Sequence, residues 1–133
     1  MNLSIFKEYD IRGIYPTDMN EFIAELVGKT VAKLWKSGKI VLAHDARIGS
    51  KELYATLLKT ITQENKKIRI EKIGLATTPM FYFFVHKLKA QGGIMITASH
   101  NPKEWNGMKI VGKNAIPISG LEIKKYAEKY FSL

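Results

Sequence analysis

Hydrophobic and polar positions along this chain switch repeatedly between a helical period and short, unbroken apolar runs. Residues 19–37 place Phe22, Leu26, Val27, Val31, Leu34 and Trp35 close to a 3.6-residue period, with Gly38 after them as a C-cap, and predict a first helix. Ile40-Val41-Leu42-Ala43 is a short apolar run inside Lys39 to Asp45, which suits a buried strand. Ser50 is the expected cap of a second helix whose Leu53, Leu57, Leu58 and Ile61 share one face. Ile68, Ile70 and Ile73 mark a second strand ended by Gly74. Thr78-Pro79 then offers a capping hydroxyl before a proline at the first helical position. That helix is expected to run through Phe81, Phe84, Val85 and Leu88 to about Ala90, with Gly92-Gly93 ending it.

Ile94-Met95-Ile96-Thr97 is a third strand and Met108-Lys109-Ile110-Val111 a fourth. Ser119, with Glu122 three residues on, forms a capping box before a last helix carrying Ile123, Ala127, Tyr130 and Phe131. Strands separated by helices imply right-handed crossovers and a sheet covered on both faces. The pattern predicts one domain over residues 1–133, a three-layer α/β/α sandwich around a mixed, mostly parallel four-stranded sheet. Neither an internal repeat nor a flexible linker is evident.

Composition narrows the classes. The chain has 133 residues, 46% of them hydrophobic and 25% charged, which is enough for a core and ordinary for a globular domain. With no cysteine there is no disulfide framework, thiolate metal site or cysteine nucleophile, which fits a reducing compartment. Lys7, Glu8, Asp10 and Arg12 break the N-terminal stretch, so it does not read as a signal peptide. No run approaches the ~18 apolar residues of a membrane span. A cytoplasmic protein without a membrane partner is the expectation.

Twenty-one Lys and Arg against twelve Asp and Glu give a formal charge of +9. Such an excess attracts anions, although lysines such as Lys29, Lys33 and Lys36 sit where a helix shows its solvated face. A stand-alone basic module for phosphorylated ligands or nucleic acid is therefore one reading. Against nucleic acid, the basic residues do not cluster and the aromatics Phe81 to Phe84 fall at core spacing.

Candidate chemistry concentrates after the third strand, in Thr97-Ala98-Ser99-His100-Asn101-Pro102 and on through Trp105-Asn106-Gly107-Met108-Lys109. Ligands of open α/β sheets gather at the carboxyl ends of strands, and Ser99 stands just past one. Asn106-Gly107 reads as a turn bringing the next strand back, which would set Lys109 across from Ser99. A serine nucleophile needs help, and a phosphoserine would carry nearly two negative charges. Lys109, His100 and the loop amides are suited to meet that charge. The same residues also make ordinary turns, so both readings of the loop stand here. Arg12, between Ile11 and Gly13, offers a planar fork to phosphate or is a surface arginine. Asp45 and Arg47 are expected to form an ion pair that organises loops. His44, His86 and His100 are too scattered for a metal motif, and His86 is expected to be partly buried.

Taken together, four stretches resemble the phosphoglucomutase/phosphomannomutase family: Phe6-Lys7-Glu8-Tyr9-Asp10-Ile11-Arg12-Gly13, Asp45-Ala46-Arg47, Gly74 through Thr78-Pro79, and Gly93 to Pro102 followed by Asn106-Gly107-Met108-Lys109. They occur in the family's order. The resemblance implies the first domain of an α-D-phosphohexomutase, an isomerase that works by phosphoryl transfer. Ser99 would be the phosphorylated residue, passing its phosphoryl group to a hexose 1-phosphate or 6-phosphate through a hexose 1,6-bisphosphate. Arg12 and Lys109 would surround the phosphoserine, Lys109 would transfer a proton, and His100 and Asn101 would complete the phosphate-binding loop. A magnesium ion would bridge the Ser99 phosphate oxygen to aspartates of a second domain. The Glu-Tyr-Asp-Ile-Arg-Gly form is more similar to this branch than to the phosphoglucosamine mutases, which usually carry Thr-Asp-Gly-Ile-Arg-Gly.

Two departures accompany the resemblance. Ala43-His44 stands where the family usually has Gly-Arg before the aspartate, with local tuning rather than lost function expected. The magnesium loop, the sugar-specificity loop and the distal phosphate loop belong to further domains of the family, and no Asp-x-Asp-x-Asp follows Lys109. The chain is therefore expected to be an excised first domain with little or no turnover alone, its partners being the remaining domains and a phosphorylated hexose.

Overall fold

Local signals and chain reversals build ten main elements in the computed structural model, which describes residues 1–133. In order they are β1 (Ile11–Ile14), α1 (Glu21–Leu34), β2 (Gly38–His44), α2 (Ser50–Glu64), β3 (Ile68–Leu75), α3 (Thr78–Lys87), β4 (Gly92–Ile96), β5 (Trp105–Gly112), β6 (Pro117–Ile118) and α4 (Gly120–Phe131). They assemble into the expected α/β/α layers. The sheet order is β1–β5–β4–β2–β3, with β6 beside the C-terminal half of β5. Pairs β2–β3 and β2–β4 are parallel, whereas β1–β5, β4–β5 and β5–β6 are antiparallel.

The four expected strands are present, but the sheet has six, and its antiparallel pairings outnumber its parallel ones. β1 and β6 are too short to show a period, and both pair only because β5 passes beside them. β5 reverses direction because the connection 97–104 has no crossover helix.

Helix starts are shifted by one residue at two places. Gly49, at φ +88°, holds the cap position of α2, and Ser50 begins the helix. Thr77 rather than Thr78 caps α3, its hydroxyl accepting from Met80 N at 3.2 Å. Ser119 does cap α4, but it accepts from Leu121 N at 3.1 Å. Gly92 and Gly93 open β4 instead of closing α3. A Cβ on Gly93 would crowd the Phe81 ring and the Val41 carbonyl, so packing rather than helix termination explains these glycines.

Alternation along the strands feeds two cores. Ile40, Leu42, Ile94, Ile96, Met108 and Ile110 face α1, α2 and α4. Val41, Ala43, Met95 and Val111 face Phe81 and Val85 of α3. Because α3 lies over β2 and β4, the β1–β5 end of its face is free of a covering helix. No helix is long and apolar enough to cross a membrane.

Candidate active site

β2 and β4 are neighbouring parallel strands whose connections lead to opposite sides of the sheet: β2 runs on through α2 to β3, and β4 on to β5. Such a switch point leaves a crevice at the strand ends. Asp45 N donates to the Ile96 carbonyl at 3.0 Å, tying the two ends together. The loops 45–49 and 97–104 open from this point.

The serine loop is folded on itself. Ser99 N donates to Thr97 Oγ1 at 3.0 Å, and Asn101 N to the Ala98 carbonyl at 3.1 Å. Ser99 itself sits at φ +54°. For a non-glycine residue that left-handed conformation costs on the order of 1–2 kcal/mol and persists only when surroundings enforce it.

Arg47 enforces it. Its guanidinium donates to three carbonyls of the loop and one at the start of β5: Ser99 at 2.7 Å, Asn101 at 2.6 Å, Pro102 at 2.8 Å and Trp105 at 3.1 Å. Asp45 steadies Arg47 through the Arg47 amide (3.0 Å) and Nε (3.5 Å), and accepts from Ser50 Oγ at 2.6 Å. Beneath them the buried Asn106 amide donates to the Ile48 carbonyl and to Ser50 Oγ, both at 3.0 Å. The expected Asp45–Arg47 pair is present and organises both loops. With its carbonyls drawn to Arg47, the loop leaves Ser99 half-buried, its Oγ within reach of Arg12.

Arg12 approaches from β1. Its neighbour Ile11 enters the large core, so alternation sends Arg12 to the uncovered face. Nε donates to Asp10 Oδ2 at 2.6 Å, Nη1 to Asn101 Oδ1, and Nη2 reaches Ser99 Oγ at 3.4 Å. The strand comes this close because position 107 is glycine: a Cβ there would fall on the Ile11 carbonyl oxygen. Lys109, on the same face of β5, points its ammonium at the same Asp10 oxygen, 3.7 Å away.

The structure thus brings Ser99, Asn101, Arg12 and Lys109 together, with Lys109 joined through Asp10 and making no direct bond to Ser99. His100 is also on the loop, but its ring is exposed and takes no hydrogen bond. Asn106-Gly107 is not a turn; both residues lie inside β5. His44 is buried, its Nδ1 donating to the Asp45 carbonyl at 2.7 Å and its ring edge-on to Tyr54 at 4.8 Å. His86 is exposed on α3 rather than partly buried, and of the aromatic run only Phe81 is fully enclosed. Tyr15 packs its ring on Gly49 and donates to Glu21 Oε1 at 2.6 Å; that bond, with burial and the nearby acids, pushes its phenol up to about 12.

Asp10, Ser50 and Asn106 join the site although the pattern gives them other duties: Asp10 as one polar residue of the N-terminal stretch, Ser50 as a helix cap and Asn106 as a turn residue. No three His, Asp or Glu side chains stand together as a metal cage, and Asp10 and Asp45 are committed to cations.

Comparison with known proteins identifies the family. Residues 3–132 match the family model for phosphoglucomutase/phosphomannomutase, alpha/beta/alpha domain I. The phosphohexose mutases of Xanthomonas campestris are 43% identical over 119 residues, covering 90% of this chain and 26% of theirs. A phosphomannomutase of Methanocaldococcus jannaschii is 40% identical over 130 residues, 97% of this chain and 28% of its own. One from Klebsiella pneumoniae, at 40% over 131 residues, is covered for 82% of its length. A solved phosphoglucomutase/phosphomannomutase family protein of Burkholderia thailandensis superposes with a TM-score of 0.81 at 25% identity, over 97% of this chain and 30% of that one. The chain spans about a quarter of the length of the first of these relatives. With a loop built around Ser99 and a match over nearly every residue, the chain belongs to the phosphoglucomutase/phosphomannomutase family, as its α/β/α domain I.

Proposed function

We propose that Ser99 carries the phosphoryl group in the interconversion of hexose 1-phosphate and hexose 6-phosphate. The observation that carries this reading is the guanidinium of Arg12, held by Asp10 and Asn101 while it reaches Ser99 Oγ at 3.4 Å. A serine with only turn-forming duty has no use for a part-buried cation at its hydroxyl. A phosphoryl group on that hydroxyl would bring close to two negative charges beside Arg12, with Lys109 next to Arg12 on the same Asp10 oxygen. Stabilising such charge with preorganised donors is the main task of a protein in phosphoryl transfer.

In the transfer, a sugar hydroxyl oxygen bonds phosphorus while the phosphorus–Oγ bond breaks, and the hydroxyl proton passes by way of Lys109 to Oγ. The hexose 1,6-bisphosphate so formed returns its other phosphoryl group to Ser99 by the reverse steps. Arg12 holds the serine end throughout, and Arg47 keeps the loop from relaxing. His100, free and exposed, is available to the sugar. A magnesium ion would supply charge neutralisation on the transferring group. This chain fits that ion only as donor of the Ser99 phosphate oxygen, the carboxylates coming from elsewhere in a longer enzyme. The substrate would be a phosphorylated hexose, the remaining domains would close the cleft, and the location would be cytoplasmic, where sugar phosphates are held.

Incubation of the protein with glucose 1,6-bisphosphate and magnesium, followed by phosphopeptide mapping, tests the assignment. Phosphate is expected on the peptide containing Ser99 and absent in Ser99→Ala, whose turnover in any assembled enzyme falls roughly 10³-fold or more. Phosphate on another residue, or mutase turnover that survives Ser99→Ala, overturns it.

A further inference from the structure

Arg12, which reaches the Ser99 hydroxyl, shares one carboxylate oxygen with Lys109. Asp10 Oδ2 accepts from Arg12 Nε at 2.6 Å and lies 3.7 Å from Lys109 Nζ, and the Asp10 side chain is only 6% exposed. We propose that Asp10 is a positioning residue for phosphoryl transfer, its carboxylate bracketing Arg12 and Lys109 and limiting how tightly the pair grips an anion at Ser99. This rests on the reading of Ser99 given above.

The turn carrying Asp10 does not need that carboxylate to hold its shape. Lys7 N donates to the Asp10 carbonyl at 2.7 Å, and Leu121 N to the Lys7 carbonyl at 3.0 Å. Gly120, the first residue of α4, lets the Asp10 carbonyl sit where any Cβ would collide with it. Main-chain contacts thus fix the turn, and the side chain is left for its two cations. No other carboxylate forms an ion pair with Arg12 or Lys109. The neighbouring charges are otherwise settled: Arg47 is spent on loop carbonyls and paired with Asp45, and His100 stands in solvent.

Asp10 therefore leaves one net positive charge facing an empty Ser99 where there would be two. A phosphoryl group must be held and then released, and binding that is as strong before transfer as during it does not speed the chemical step. A counter-charge beside the two cations weakens the resting grip while leaving both cations in place. Asn at position 10 keeps the shape and an accepting oxygen but removes the charge.

The test is the binding of inorganic phosphate to the unphosphorylated protein, followed by amide shifts of Ser99, His100 and Asn101. D10N is expected to bind phosphate about tenfold tighter than the parent, equivalent to about 1.4 kcal/mol. D10N/K109Q, which removes one charge of each sign, is expected to return to the parent affinity, and it stands as the reference if D10N alone folds poorly. A merely structural role predicts the opposite sign: D10N would scatter the cations and bind phosphate more weakly. Unchanged or weaker binding by D10N, or a double variant that departs from the parent affinity, overturns the proposal. Loop amides that respond to phosphate in no variant would instead remove the phosphate site itself, and with it the assignment of Ser99.

Discussion

The two ends of the sheet hold their loops by the same device and differ in what they do with charge. Where β2 and β3 begin, the Asn65 amide donates to the carbonyls of Ala32 and Lys36, each at 2.8 Å, and its oxygen accepts from Lys67 N at 2.9 Å. Where β2 and β4 end, Arg47 gathers three carbonyls of the serine loop and one at the start of β5. At the first end Lys36, Lys39, Lys66 and Lys67 are exposed and no ion pair forms with any of them. At the second, Arg12, Lys109 and Arg47 are part-buried and each faces an aspartate. A neutral amide suffices to hold a loop, so holding alone does not call for buried charge. The +9 excess is spread mostly over solvated lysines, and the site is marked by the few cations that the fold has desolvated and aimed.

The comparison can be broken most severely at Arg47. Arg47→Ala leaves four carbonyls without their donor and Asp45 without its ion-pair partner, and a loss of about 3 kcal/mol is expected in denaturant unfolding. Arg47→Lys is expected to recover little of it, because an ammonium lacks the fork that spans several carbonyls. Asn65→Ala, at the uncharged end, is expected to cost about 1–2 kcal/mol with no change in phosphate binding at Ser99. Should it cost more than Arg47→Ala, the serine loop would be held by its own internal bonds and not by Arg47. The smallest effect is expected for Lys66→Gln with Lys67→Gln. Stability should stay within about 0.5 kcal/mol of the parent, and phosphate affinity at the loop should hold; a large drop in that affinity would mean that the distant lysines shape the field at the site.

Much of this fold was legible in the chain. Ile40 to Ala43 and Ile94 to Ile96 read as buried strands because two covered faces demand unbroken apolar runs, and the stripes of α1, α2 and α4 read as helices because one face alone is buried. The failures have physical causes as well. Asn106-Gly107 has a strong local preference for a turn, yet it lies within a strand. Only glycine admits the Ile11 carbonyl there, and only a short amide reaches both Ile48 and Ser50. β1 and β6 carry no period of their own, since a two- or four-residue strand is created by its neighbour. Asp10 reads as one charge of the N-terminal stretch and not as a partner of Arg12, because an acid two residues before an arginine is commonplace until the turn buries it.

By itself the sequence determined the layers, the order of the four helices and the four longer strands, and the loop on which Ser99 stands. Those follow from local propensity, from the burial period and from motifs whose residues are near neighbours in the chain. The tertiary structure decided which cations reach Ser99, that Arg47 gathers the loop's carbonyls, and that one buried carboxylate sits between Arg12 and Lys109. The bond from Arg12 to Ser99 spans 87 positions and the one from Arg47 to Ser99 spans 52. Contacts at such separations depend on strand order and on the direction β5 takes, and neither is written in any local run of residues.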